Sequence, residues 1–394
     1  MSTNGCWQRS RKLSRRVAST VLFDDVVGHS AAKLSLQRAV EQGHINHAYL
    51  FTGPSAVGKF IVARAFAAAM LCPDNGCGEC NVCRRVTLEK HPDVTVVRPA
   101  GKNIPVEKIR EIRLDAFRKP SESDIKVYII KNAERMWEEG ASTLLKVLEE
   151  PPGNVVFILV TANPGALLPT ILSRCQEIRF TRIPPDELKE YLLTTRDIAP
   201  ERADLVVRLT GGVLGRALDW CDEPWRLTRR DNVIRAARAL GRADLNRTLE
   251  MASELLRDVR APVDELVSRY QDKKDGLADG ALDNRTVRLL DKDLDEECRR
   301  EQVKEEIRGV KEFLSTLSWW YRDILIWGEG GDVSLLVNRD LEDEIASESE
   351  FLNERNLLEC IDMIGESMRA AEQNIPAQLN IESTMLGVQG VLYA

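Results

Sequence analysis

No run of about 18 consecutive apolar residues occurs in the 394-residue chain, so no transmembrane helix is expected. The first twenty residues also lack the apolar stretch of a secretory signal. They carry Arg9, Arg11, Lys12, Arg15 and Arg16 with no acid before Asp24. This reads as a flexible basic tail over residues 1–20, with an Arg- and Ser-rich transit peptide as the alternative. An excess of positive charge is missing too: 55 Lys and Arg stand against 62 Asp and Glu, a formal net charge of −7. Such a chain does not grip nucleic acid over its whole surface; only local basic patches could. No internal repeat is visible. What remains, 43% apolar and 30% charged residues, is the composition of a globular protein of two or three domains with real cores.

Two further absences are local and say more. Gly53-Pro-Ser-Ala-Val-Gly58-Lys59-Phe60 has the spacing of a Walker A loop, G-x-x-x-x-G-K-[ST]. In that loop backbone N–H groups cradle phosphates, the lysine reaches the β- and γ-phosphates, and the hydroxyl holds Mg²⁺. Here the hydroxyl is missing, and a phenyl ring cannot ligate magnesium. The apolar strand Val127-Tyr-Ile-Ile130 has the character of Walker B, yet it runs into Lys131-Asn132-Ala133-Glu134. A lysine stands where the metal-holding carboxylate belongs, and an amide where the water-orienting glutamate belongs. Glu134 lies past the strand end and is expected to face elsewhere. Phosphoryl transfer of this class depends on the metal bridging the phosphate oxygens. Losing both protein anchors predicts a site that does not hydrolyse ATP.

Cysteine is not scarce. Of nine, Cys72, Cys77, Cys80 and Cys83 cluster as C-x₄-C-x₂-C-x₂-C, with Gly76 and Gly78 to allow tight turns. Four thiolates so close suit one tetrahedral Zn²⁺. An iron–sulfur cluster is the competitor, but the ferredoxin run continues x₃-C-P, whereas Arg84-Arg-Val-Thr-Leu follows Cys83. With all four positions filled by protein, the zinc is expected to be structural. Cys6, Cys175, Cys221, Cys298 and Cys360 are isolated and read as packed or indifferent.

Along the chain, the first half alternates strand and helix: strand 47–51, the glycine loop, helix 60–71, strand 93–97, helix 106–117, the Walker B strand, a helix through Leu148 stopped by Pro151-Pro152, and strand 155–160. This is the α/β order of P-loop folds. After Ile183-Pro184-Pro185 helical periodicity takes over. A small helical unit is expected over about 184–240 and charged helices from 241 to 394. Residues 272–300, with Gly276, Gly280 and dense charge, read as a solvated loop or insertion. Trp319, Trp320, Tyr321 and Trp327, at helical spacing, read as core rather than as a platform for stacking bases.

These motifs together resemble the δ′-type subunits of bacterial DNA polymerase III, in the clamp-loader branch of the AAA+ family. The resemblance rests on Phe23-Asp-Asp-Val-Val-Gly28-His, on His47-Ala-Tyr-Leu-Phe-Thr-Gly-Pro, and on the four-cysteine insertion after the P-loop helix. It rests also on Leu144-Leu-Lys-Val-Leu-Glu-Glu-Pro-Pro152, Thr161-Ala-Asn163 and Leu168-Pro-Thr-Ile-Leu-Ser173-Arg174-Cys175. It covers nearly all of residues 21–240 and, more weakly, the last third. It implies an AAA+ domain over 21–183 with the zinc module at 72–83, a helical lid over 184–240 and a helical oligomerisation collar over 241–394.

By the same resemblance Arg174 is an arginine finger that reaches the γ-phosphate of ATP on a neighbouring subunit, a task suited to a permanently charged bidentate group. Gly53, Gly58 and Lys59, with Asn163 as sensor 1 and Arg216 as sensor 2, would form a degenerate nucleotide site where ATP or ADP binding is doubtful and Mg²⁺ is not expected. The implied partners are γ/τ and δ subunits in a hetero-pentameric ring and, through that ring, the β sliding clamp and primer-template DNA, with no membrane. The implied setting is cytoplasmic, as an accessory subunit of the DNA-directed polymerase III holoenzyme. Three other readings stay open: a γ/τ-type ATPase, which should keep Ser or Thr after the loop lysine and an Asp-Glu pair at Walker B; a nucleotide-binding switch that does not hydrolyse; and a zinc-ribbon DNA-binding protein, which the acidic balance disfavours.

Overall fold

The computed structural model describes residues 23, 26–99, 101, 103–278, 284–373 and 375–393, with the side chains of 276–278 and 284–289 excepted. The basic tail 1–20 and Cys6 lie outside the described residues. The chain divides into two compact units, one ending at Asp219 and the other beginning at Trp220.

The first unit is built on five parallel strands. They are β1 (Ala48–Thr52), β2 (Val94–Val97), β3 (Lys126–Lys131), β4 (Val155–Val160) and β5 (Gln176–Arg179), side by side in the order β2-β3-β4-β1-β5. Every residue of β1 and β4 is buried, because helices cover both faces of the sheet. One face packs against α1 (Ser30–Gln42) and α2 (Lys59–Leu71), with Tyr49, Phe51, Phe66 and Ile158 in the cluster. The other packs against α4 (Val106–Ala116) and α5 (Glu138–Glu149), through Leu50, Phe157, Ile109 and Leu144. Between α2 and β2 comes α3 (Asn81–Thr87), the helical half of the cysteine module. The short α6 (Pro169–Leu172) leads to β5, and α7 (Pro185–Thr195), α8 (Pro200–Thr210) and α9 (Leu214–Asp222) follow. A strand at 176–179 is not expected from the sequence. Only Ile178 of its four residues is buried, so it carries no apolar run.

The described residues of the second unit form helices joined by turns, with no strand: α10 (Trp225–Ala239), α11 (Leu245–Ala278), α12 (Asn284–Gly328), α13 (Glu342–Ser349), α14 (Glu354–Glu372) and α15 (Ala377–Tyr393). Trp320 and Tyr321 are fully buried among Phe313, Leu317, Ile364 and Met385, as core aromatics should be. The expected loop at 272–300 is corrected by the structure. Residues 272–278 complete α11 and 284–300 open α12, only 279–283 between them lying outside the described residues. The charge density there is a pairing pattern across two antiparallel helices: Lys274 Nζ lies 3.1 Å from Asp291 and 2.5 Å from Asp295, and Arg260 reaches Glu306.

α10 contains a feature that sequence reasoning missed. Arg226, Arg229 and Arg230 are all buried. Arg226 and Arg229 share Glu312 of α12, and both guanidinium groups lie over the Trp225 ring at about 4.5 Å. Arg230 makes two 2.8 Å bonds to the carboxylate of Asp340 and two more to Asn338 Oδ1. Glu312→Ala would take the shared carboxylate from two buried cations, leaving Arg226 with Glu223 and Arg229 with the carbonyl of Asp258, and breaking such a buried pair costs about 3 kcal/mol. Denaturant unfolding of the full chain is the measurement, and a loss below about 1 kcal/mol would show the cluster to be hydrated.

Candidate functional site

The carboxyl ends of the parallel strands gather the residues singled out above. The loop 53–58 follows β1, Arg98 follows β2, Lys131 ends β3 and Asn163 lies three residues beyond β4. In such sheets the carboxyl edge is where ligands bind. The glycine loop keeps its shape. Gly53 has φ 133°, and a Cβ there would stand 2.1 Å from the carbonyl oxygen of Phe180, so no other residue fits. Ala56 takes the left-handed conformation (φ 59°), and its carbonyl accepts a 3.1 Å bond from Gly215 N–H at the start of α9. That bond brings Arg216, the next residue, to the rim of the loop.

Lys59 is buried and folded back on its own loop, its ammonium donating to the carbonyl oxygens of Gly53 and Pro54 at 2.5 Å each. Burial pushes its pKa down to about 8, while the carboxylate of Glu134 draws it back up. The expectation that Glu134 faces elsewhere is therefore corrected. Asn132 turns left-handed (φ 55°) and Ala133–Arg135 make a 3₁₀ turn, which folds the chain back after β3 and brings the carboxylate into the field of Lys59. Glu134 Oε2 is buried without a hydrogen-bond partner.

The residues in the two metal-holding positions meet each other. Lys131 Nζ lies 5.0 Å from the centroid of the Phe60 ring, and the guanidinium carbons of Arg64 and Arg98 lie 5.1 and 5.3 Å from it. Three cations around one aromatic ring make a cation–π cluster. No oxygen ligand comes from either position, and the charge has the wrong sign. The residues present do not fit a magnesium ion held by this chain.

The cysteine module does fit a metal. The four Sγ atoms of Cys72, Cys77, Cys80 and Cys83 lie within 4.8 Å of one another, and Cys72 Sγ is 3.7 Å from both Cys77 and Cys80. Four sulfurs at about 2.3 Å from a tetrahedral zinc stand about 3.8 Å apart. The local fold presents them in a set order. Cys72 closes α2, the glycines at 76 and 78 turn with positive φ, and Cys80 is the N-cap of α3, its Sγ accepting from Cys83 N–H. The backbone N–H groups of Cys80 and Glu79 draw the Cys77 thiol down to about 7. Cys72 and Cys83 are buried against the core, so a zinc here would join α2 to α3 without offering an open position for chemistry.

Arg174 sits just past α6. Its guanidinium lies 2.8 Å from Glu149 Oε1 and donates to Thr170 O at 3.1 Å, with 34% of the side chain exposed. A surface pair of this kind holds the side chain by about 1 kcal/mol or less. Asn163 is exposed, its N–H bonded to Thr161 Oγ1 at 3.1 Å. Cys175, next to Arg174, is pushed up to about 12 by burial and is no nucleophile. The structure thus brings Gly53, Gly58, Lys59 and Arg216 together around the loop, while the partners of Arg174 are Glu149 and Thr170. The roles of Phe60 and Lys131 were legible in sequence, but the contributions of Arg64 and Arg98 to the cluster were not.

Against known proteins, the family described as "DNA polymerase III, delta subunit" matches residues 28–184. The chain is 34% identical over 181 residues to the DNA polymerase III subunit delta′ of Bacillus subtilis, covering 45% of this chain and 55% of that protein. It is 40% identical over 172 residues to the DNA polymerase III subunit tau of the same organism, covering 43% of this chain and 30% of that one. The chain thus spans about half, or less, of the length of these relatives. A crystal structure of a gamma subunit-related protein from Thermotoga maritima aligns over 91% of this chain and 98% of its own at 16% identity, with a TM-score of 0.43. No described helix is long and apolar enough to cross a membrane. Over the matched segment, 28–184, this chain is thus similar to subunits of DNA polymerase III.

Proposed function

We propose that this chain is a δ′-type subunit of a bacterial DNA polymerase III clamp loader, silent as an ATPase, that lends Arg174 to the nucleotide site of a neighbouring γ/τ subunit. The observation that carries the reading is the Phe60–Lys131 pair. Both places that would hold magnesium are filled by groups that exclude it, and they pack on one another. A subunit with that site can serve ATP chemistry only from outside its own loop. Arg174 suits the part because a guanidinium offers a planar bidentate fork, and it is held at the surface by Glu149 and by the carbonyl of Thr170. The remaining roles follow the same reading: an AAA+ domain over 21–183 with a structural zinc, a lid over 184–240 and a collar over 241–394 that joins γ/τ and δ partners in a ring around the sliding clamp and primed DNA.

The purified full chain, given ATP and excess magnesium, is expected to release no phosphate above the protein-free control. Turnover at the rate of a working motor subunit would overturn the silent reading. It would favour the second one, an active γ/τ-type ATPase. One observation speaks for that alternative, since the tau relative is the more identical over the matched segment. Identity in a shared scaffold does not restore a metal ligand, and the site residues outweigh it.

A further inference from the structure

The cationic cluster that excludes magnesium does not exclude phosphate. The loop retains what cradles an anion: Gly53 and Gly58 at positive φ, Ala56 in the left-handed turn that makes a backbone nest, and the start of α2. The nest stands beside a buried ammonium, Lys59, which donates to the loop's own carbonyls. Around Phe60 stand Arg64, Arg98 and Lys131. Carboxylates stand against them: Glu89, which holds Arg98 through both oxygens at 2.6 and 2.7 Å and lies 3.6 Å from Arg64, and Glu134 near Lys59. The cations around Phe60 put positive charge at the carboxyl edge, where a bound magnesium ion would otherwise have supplied it.

We infer that the loop binds the phosphate tail of a nucleoside triphosphate free of divalent metal, with the Lys131 ammonium standing where the cation would be, so that magnesium weakens binding. This rests on the silent-site reading and extends it, since a nucleotide held without metal would be kept rather than cleaved. The physical reason is like-charge exclusion. A divalent ion carried in on ATP would be brought toward the Lys131 ammonium beside Phe60, and like charges repel. The fully charged tail meets complementary charge instead.

The test is calorimetric titration of the full chain with ATP, first in EDTA and then with excess magnesium, with phosphate release followed in parallel. Saturable binding in EDTA, weaker by about ten-fold or more with magnesium, is the expected result. Lys131→Asp should reverse the preference, and Lys59→Met should remove binding in both buffers. The wild-type comparison needs no variant, so a misfolded variant does not blunt it. No binding in EDTA at millimolar ATP, or tighter binding with magnesium, would overturn the inference. Both results would leave the silent-subunit reading standing, because only phosphate release bears on that.

Discussion

Arg174→Ala, placed in a reconstituted loader whose other nucleotide sites have been silenced, is expected to lower ATP turnover at the served site by about 10³-fold, the lower end of what an arginine finger contributes. Silencing the others matters, since each site in a ring has its own donor and a total rate would dilute the loss. The argument begins from the chain's own surface. Arg174 is not in its own phosphate loop, about a third of its side chain is exposed, and besides a bond to Thr170 O it is held by a surface pair to Glu149 that an incoming phosphate can displace at a cost of about 1 kcal/mol or less. A γ-phosphate carries more charge than one carboxylate and accepts a bidentate pair. Substitution by alanine removes a partly exposed side chain, one surface pair and one bond to the carbonyl of Thr170, so the subunit should fold and the ring should assemble as before. Lys at this position keeps the charge without the planar fork, and it should recover only a small part of the rate. Size-exclusion chromatography of the ring alongside single-site phosphate release checks both halves. Full turnover with Arg174→Ala in an intact ring would end the proposal that this chain supplies the finger.

How much of this was legible in the sequence depends on what each element has to bury. The strands β1, β3 and β4 show themselves as short apolar runs because they lie inside the sheet, covered on both faces. β5 hides because it lies at an edge. Glu177 there pairs with Arg179 and accepts from Thr52, so its polar residues have partners on the rim and no run of apolar side chains is required. Phe60 and Lys131 at the two metal-holding positions were readable since they are a matter of residue type at fixed spacing. The side of the strand on which Glu134 falls was not, because a single left-handed residue at Asn132 sets it. Arg226, Arg229 and Arg230 look like the solvated face of a charged helix. Their partners Glu312 and Asp340 lie some 80 to 110 residues away in sequence, and nothing local announces a buried ion cluster.

Cys80→Ser should cost the chain its metal and a good part of the stability of the first unit, and serine is chosen for what it keeps. Cys80 is both a thiolate donor and the N-cap of α3, where its Sγ accepts from Cys83 N–H. Serine is among the best N-cap residues, so the helix start survives the change. What serine lacks is a soft thiolate, and three remaining sulfurs hold zinc far less firmly. Binding energy at a structural zinc is folding energy for whatever the metal ties together. Here that is the end of α2 and the start of α3, with Cys72 and Cys83 fully covered beside Phe66 and Val86. Loss of a structural metal belongs to the large class of single-site effects, on the order of 4 kcal/mol. For a unit of this size that corresponds to a fall of about 10 °C in the melting temperature. The wild-type chain should carry one zinc by elemental analysis and melt lower after chelation, while Cys80→Ser should carry none and melt at the lower temperature whether or not chelator is present. A wild-type chain that purifies without metal and melts unchanged in EDTA would show that the four thiols pack on their own account.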